Sequence, residues 1–157
     1  MEVIMEQKIE AYLYQSGEAD LRWMGETSTY FLATGVLTGG AFALVEERAM
    51  RGESVPLHKH NGDLESFYVL EGEISFFLGD GPGSRTGAGA FVHIPSGTIH
   101  GFRIESETAR YLILTTPHHA EFYRAITLPS PKAMADGAVI EQACQRYGVE
   151  FVGPLPN

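Results

Sequence analysis

Between about Thr27 and Thr115 the apolar positions come in short runs cut by glycine: STYFLATGVLT, AFALVEERAM, ESFYVLEGEISFFLG, GAFVHIP, HGFRI and RYLILTT. Aromatic and β-branched residues dominate these runs, and no helical spacing is sustained across them. The pattern predicts an all-β region. Thr38-Gly39-Gly40-Ala41 has the two central glycines that a tight hairpin turn accepts at positive φ. Further breaks at Arg51-Gly52, Gly79 to Gly83 and Pro95-Ser96-Gly97 recur at intervals that suit a sandwich or barrel. The character changes after Thr116-Pro117. HHAEFYRAI is read as a helix, and a second helix is predicted from about Pro131 to Tyr147, with Ser130 as N-cap, Gly148 as the stop and an extended PLPN tail.

A chain of 157 residues with 44% hydrophobic and 20% charged residues is expected to form one domain, 1–157, with an ordinary buried core. The formal net charge of −9 would repel phosphate backbones, so nucleic acid is not an expected partner. Cys144 is the only cysteine, which removes intrachain disulfides and cysteine-based metal sites and fits a reducing, cytoplasmic location. No run of eighteen apolar residues suggests a membrane span, and MEVIMEQKIEAY lacks the apolar core of a signal peptide.

The chemistry concentrates in PLHKHNGDLESFYVLEGE, residues 56–73. Residues two apart on a strand project to one face, so His58 and His60 would share a space with Lys59 turned away. The NGDL bend then returns the chain so that Glu65 can face the same point. His100, following a Pro95-x-Gly97 turn, offers a third imidazole. Three imidazoles and one carboxylate suit a divalent Fe, Mn, Co, Ni, Cu or Zn ion, and the donor types do not choose among them. An isolated His-x-His more often marks a polar strand edge; Glu65 and His100 are what shift the reading to a metal.

Alternation carries Phe67 and Val69 inward after Glu65, and Phe102 inward after His100, to line an aromatic substrate pocket. His93 shares parity with Phe91 and is a candidate second polar group near the substrate, with a hydrogen-bonded wall histidine as the equal alternative. His118 and His119 are expected to face solvent, and Arg103 to point away from the metal.

Residues 52–72 fit the pattern G-x5-H-x-H-x4-E-x6-G, and residues 89–100 fit G-x5-P-x-G-x2-H. On these two motifs the chain resembles the cupin superfamily. The resemblance implies a single jelly-roll β-barrel with its core at about 27–116 and a short helical extension at about 117–150. It implies one metal held by His58, His60, Glu65 and His100 with coordination positions left open, and a homodimer. Ile104 stands where the second motif usually ends in Asn, and Ala90 where Asp is frequent; neither is a ligand position.

Within the superfamily the chain is most similar to bacterial quercetinases, from about Tyr30 on to TTPHHAEFYRAI. That likeness implies a dioxygenase using dioxygen on a small aromatic or enolic substrate of the flavonol type, with Glu65 as the base. Two other classes stay open. One is a Lewis-acid cyclase, isomerase or epimerase of secondary metabolites, as in polyketide cyclases, and the other is a non-catalytic small-molecule-binding module.

Overall fold

The computed structural model describes residues 8–156, so the leader reading of the first seven residues lies outside the described range. Among the described residues eleven strands and three helices follow one another. Their order is β1 (Asp20–Met24), β2 (Thr27–Ala33), α1 (Gly35–Thr38), β3 (Ala43–Met50), β4 (Ser54–His60), β5 (Glu65–Glu71), β6 (Ile74–Leu78), β7 (Ser84–Thr86), β8 (Phe91–Ile94), β9 (His100–Ile104), β10 (Thr108–Thr115), α2 (Pro117–Ile126), α3 (Gly137–Tyr147) and β11 (Val149–Gly153).

The strands form two antiparallel sheets, ordered β1-β2-β3-β10-β5-β8 and β11-β4-β9-β6-β7. The all-β pattern is borne out, in the two-sheet arrangement of the jelly roll that the motif resemblance implies. Inner-face positions repeat every second residue and supply the core. Ala43, Val45 and Ala49 on β3, Phe67 and Val69 on β5, and Ala109, Tyr111 and Ile113 on β10 are all nearly inaccessible. At its centre Phe67 packs edge-on to Phe76 and Phe102, with ring centroids 5.1 and 5.4 Å apart. Burying side chains of this size contributes roughly 1.5–3 kcal/mol each relative to exposure.

Two glycines let the sheets close. Gly72 has φ +85° between β5 and β6, and a Cβ there would run into the Thr108 carbonyl. At Gly101 a Cβ would lie 2.6 Å from the Val55 carbonyl oxygen, so only glycine allows β9 to approach β4 next to His100.

Four local readings are corrected. Gly39 and Gly40 do take positive φ, but Gly39 caps the one-turn helix α1, whose N-cap Thr34 accepts from Leu37 N–H, so the segment is not a two-residue hairpin. The second long helix starts at Gly137, not Pro131. Lys132 sits at φ +60°, and the Ala133 carbonyl accepts from Gly25 N–H, so a contact with the β1–β2 turn holds 130–133 out of helical form. The sequence reading omitted β1, and it omitted β11, which pairs with the outer edge of β4. His119 is buried, for reasons given below. Gly148 does end α3 in left-handed conformation, donating to the Cys144 carbonyl. No described helix is long and apolar enough to cross a membrane.

Candidate metal centre

His58 and His60 occupy the last turns of the β4 pleat, Glu65 opens β5 and His100 opens β9. Strand pairing sets His58 directly across from His100, while Glu65 enters from the other sheet opposite Thr115. The four residues are all buried, and one ligand atom from each falls within a common span of 4.8 Å. The ligand-bearing strands thus converge at one end of the barrel.

Two backbone carbonyls orient the imidazoles. His58 Nδ1 donates to the Pro56 carbonyl and His100 Nδ1 to the Thr98 carbonyl, both at 2.8 Å. Each bond holds the ring in the tautomer whose Nε2 carries a lone pair. His100 Nε2 and His60 Nε2 both lie 3.2 Å from Glu65 Oε2. At His100, whose Nδ1 donates to Thr98 and whose Nε2 therefore carries a lone pair, that distance repels unless a proton or a cation lies between the two atoms. The donor set and its orientation therefore fit a divalent transition metal, held by His58, His60, Glu65 and His100.

The electrostatics of the protein groups point the same way. Burial drives the His58 imidazole down to about 4 and His60 down to about 3, so both are neutral and free to ligate at neutral pH. Burial alone would push the Glu65 carboxyl up, but the imidazoles of His100, His119 and His60 that face it hold it below the usual carboxylate range. Glu65 is ionised.

Three polar residues of this region were missed by the sequence reading. His119, expected in solvent, is 1% exposed; its ring stacks on His60 at 3.9 Å and its Nε2 lies 4.0 Å from Glu65 Oε2. Tyr123, one turn on, donates its hydroxyl to Glu65 Oε1 at 2.9 Å. Both belong to the stripe His119, Phe122, Tyr123, Ile126, which α2 lays over the barrel mouth. The i, i+3, i+4, i+7 spacing of that stripe was visible in the sequence. Glu47, third of the missed residues, shares inner-face parity with Ala43, Val45 and Ala49 and accepts from the Tyr111 hydroxyl at 2.8 Å.

α2 is docked by Asp63. Its buried carboxylate accepts from the Thr116 hydroxyl at 2.6 Å and lies 2.9 Å from His118 Nδ1, while Thr116 also caps the helix by accepting from His119 N–H. The cap closes a cavity of about 220 Å³ bordered by His58, His60, Glu65 and Phe102 on the barrel side and by Phe122, Tyr123 and Ile126 on the helix side.

The remaining candidates fall elsewhere. Phe67 and Val69 point inward but are absorbed by the aromatic core and do not border this cavity. His93 is on the outer face of β8, with Nδ1 2.7 Å from the Ser66 hydroxyl; the inner positions are Val92 and Ile94, and the parity taken from Phe91 misled because that ring is itself 65% exposed. Arg103 turns outward to Glu105.

Residues 45–115, spanning both motifs, match the family of cupin domains. Over these residues the chain resembles the cupin superfamily. The chain is 29% identical over 119 residues to the quercetin 2,3-dioxygenase of Bacillus subtilis (strain 168), an alignment covering 75% of this chain and 35% of that protein. The chain thus spans about a third of the length of that relative. Its fold is shared with a predicted oxalate decarboxylase from Thermotoga maritima at TM-score 0.60 and 24% identity, covering 67% of this chain and 98% of the other. It is also shared with KdgF from Halomonas sp., at TM-score 0.61 and 19% identity, covering 69% and 94%. These likenesses define the barrel and leave the chemistry to the site.

Proposed function

We propose that this protein is a metal-dependent oxidoreductase that adds dioxygen to a small enolic or phenolic substrate, with His58, His60, Glu65 and His100 as the metal ligands. The observation that carries this reading is the convergence of three imidazoles and one carboxylate, of which His58, His60 and Glu65 border a cavity otherwise walled largely by apolar side chains. The likeness to a quercetin dioxygenase supports the choice of reaction.

A bound divalent transition metal supplies polarisation of a substrate oxygen and, when redox-active, a path for electrons to dioxygen. The protein groups do the rest. Glu65, ionised and next to the ligand cluster, takes the proton from the substrate hydroxyl, and Tyr123 holds Oε1 so that Oε2 is the oxygen left to receive it. Burial pushes the Tyr123 phenol well above its ordinary range, so it stays a donor throughout. Phe102, Phe122 and Ile126 exclude water from the resulting enolate and give a flat ring its apolar walls.

The cavity volume argues for a smaller substrate than a three-ring flavonol. About 220 Å³ lies below the roughly 300–1,000 Å³ usual for drug-sized ligands, which points to a single substituted ring. A second reading has its own observation: His119 beside Glu65 provides a second proton-handling group, as a non-redox isomerase or cyclase would use.

Elemental analysis of the purified protein followed by oxygen-electrode assays with small enols separates these. One bound metal per chain and stoichiometric oxygen uptake is the expected result. Turnover that persists under strict anaerobiosis would replace the dioxygenase by the isomerase, and a chain that takes up no metal would remove both.

A further inference from the structure

Glu47 is a carboxylate at an inner position of a barrel strand, where its neighbours of like parity are Val45 and Ala49. It borders the cavity that holds Glu65, and it also borders an adjoining cavity of about 250 Å³ with Met24, Val55, Phe102 and Tyr111. An acidic side chain in such a place is destabilising unless something bonds to it. Within the protein Tyr111 Oη fills one carboxylate oxygen, Oε2. Thr29 adds a second side-chain hydrogen bond, and the carboxylate still borders both cavities.

Strand register separates Glu47 from the metal ligands. Glu47 pairs with Tyr111 on β10, while Glu65 pairs with Thr115, four residues further along the same strand. At about 3.3 Å per residue the two backbones stand about 13 Å apart along the sheet, and both side chains reach into the space between. The cavity therefore has polar groups at two separated places and an apolar stretch between them.

We propose that Glu47 is a second substrate-binding residue, which hydrogen-bonds a hydroxyl carried on the side of the ring remote from the oxygen that enters the metal site. The inference rests on the enol reading of the site and narrows its substrate class to a single ring with a chelating hydroxyl-carbonyl pair at one edge and a hydroxyl-bearing arm at the other. Burial, reinforced by the negative charge of Glu65 and opposed by the Tyr111 hydrogen bond, raises the Glu47 carboxyl to about 7, so near neutrality it can donate to or accept from that hydroxyl. The adjoining cavity gives the arm room to extend past Glu47.

Two pyrones test this directly. Kojic acid and allomaltol share the same chelating head, and differ in that kojic acid has a hydroxymethyl arm where allomaltol has a methyl. Each is titrated calorimetrically into the zinc-loaded full chain, with metal content measured before and after. Wild type is expected to bind kojic acid about tenfold more tightly, the ratio that one net hydrogen bond gives. Glu47→Leu should remove the preference while zinc content and allomaltol affinity are kept, and Glu47→Gln should restore most of it. Equal binding of the two pyrones by wild type, or a preference that survives in Glu47→Leu, overturns the role of Glu47 and leaves the enol reading intact. Failure of both pyrones to bind a wild-type chain that retains its zinc overturns the two together.

Discussion

Tyr123 on α2 donates its hydroxyl to Oε1 of Glu65 on β5, 2.9 Å away and across the barrel mouth. The bond makes the C-terminal helix part of the ligand set's support, since it orients the one carboxylate among three imidazoles. Hydrogen bonds to a charged partner contribute about 1.5–3 kcal/mol, and losing a group that orients a metal ligand typically lowers metal affinity or activity 10–100-fold. Tyr123→Phe should accordingly reduce kcat by about 10–100-fold. Near-normal metal content in the same preparation, by elemental analysis, would assign the loss to Glu65 orientation.

His58→Ala and His100→Ala each remove one imidazole whose Nδ1 is anchored to a carbonyl. Bound metal should fall from about one per chain to near background, and activity with it. Far-ultraviolet circular dichroism should keep its β signature, because the aromatic core around Phe67 and Phe76 lies apart from the ligands. A collapsed spectrum would instead make the ion a folding element.

Glu65→Gln keeps size and hydrogen bonding but cannot accept the substrate proton. Turnover should drop at least a hundredfold, within the usual range for a lost general base, with a smaller loss of metal. Full activity in this variant would exclude Glu65 as the base.

The stability of the protein should carry the signature of Glu47. Its carboxyl rises from an ordinary 4.5 to about 7 in the folded chain, chiefly by burial, so the folded state holds the proton more firmly than the unfolded one. Its contribution is thus fully present below about pH 4.5 and is lost as pH rises through about 7. The lost increment is on the order of 3 kcal/mol at most. Urea denaturation at pH 5 and pH 8 should show wild type losing more stability than Glu47→Gln over that interval; the histidines contribute equally to both chains and cancel in the difference.

Asp63→Ala deletes the acceptor of Thr116 and the partner of His118. A destabilisation of about 1–3 kcal/mol is expected from the unpaired groups. Limited proteolysis should then cut first between β10 and α2, and activity should fall through the displaced Tyr123 and His119.

The barrel and the ligand spacing were legible in the sequence because both depend on local rules. Period-two alternation and glycine breaks specify strands, and His58, His60 and Glu65 sit within one strand-turn-strand unit whose geometry the chain itself dictates. His100 needed only a second turn of the same kind. Parity was less secure where the reference residue was an exposed aromatic, which is why an inward His93 stood level with the hydrogen-bonded wall histidine that it is.

What lies beyond such rules concerned residues brought together over long stretches of chain. Ser130 and Pro131 read as a helix start, yet a hydrogen bond from Gly25, more than a hundred residues earlier, holds that segment in a turn. β11 forms because the edge of β4 has unpaired backbone groups to offer, a fact about the sheet and not about residues 149–153. His119, Tyr123 and Glu47 have the same cause. By itself the sequence determined a β-barrel with two histidines, a glutamate and a further histidine at metal-ligand spacing, because alternation and turns act over a few residues. Only the tertiary structure decided that α2 folds back to bring His119 and Tyr123 onto Glu65, and that Glu47 meets the same cavity, because burial and register are settled by what packs against a residue from elsewhere in the chain.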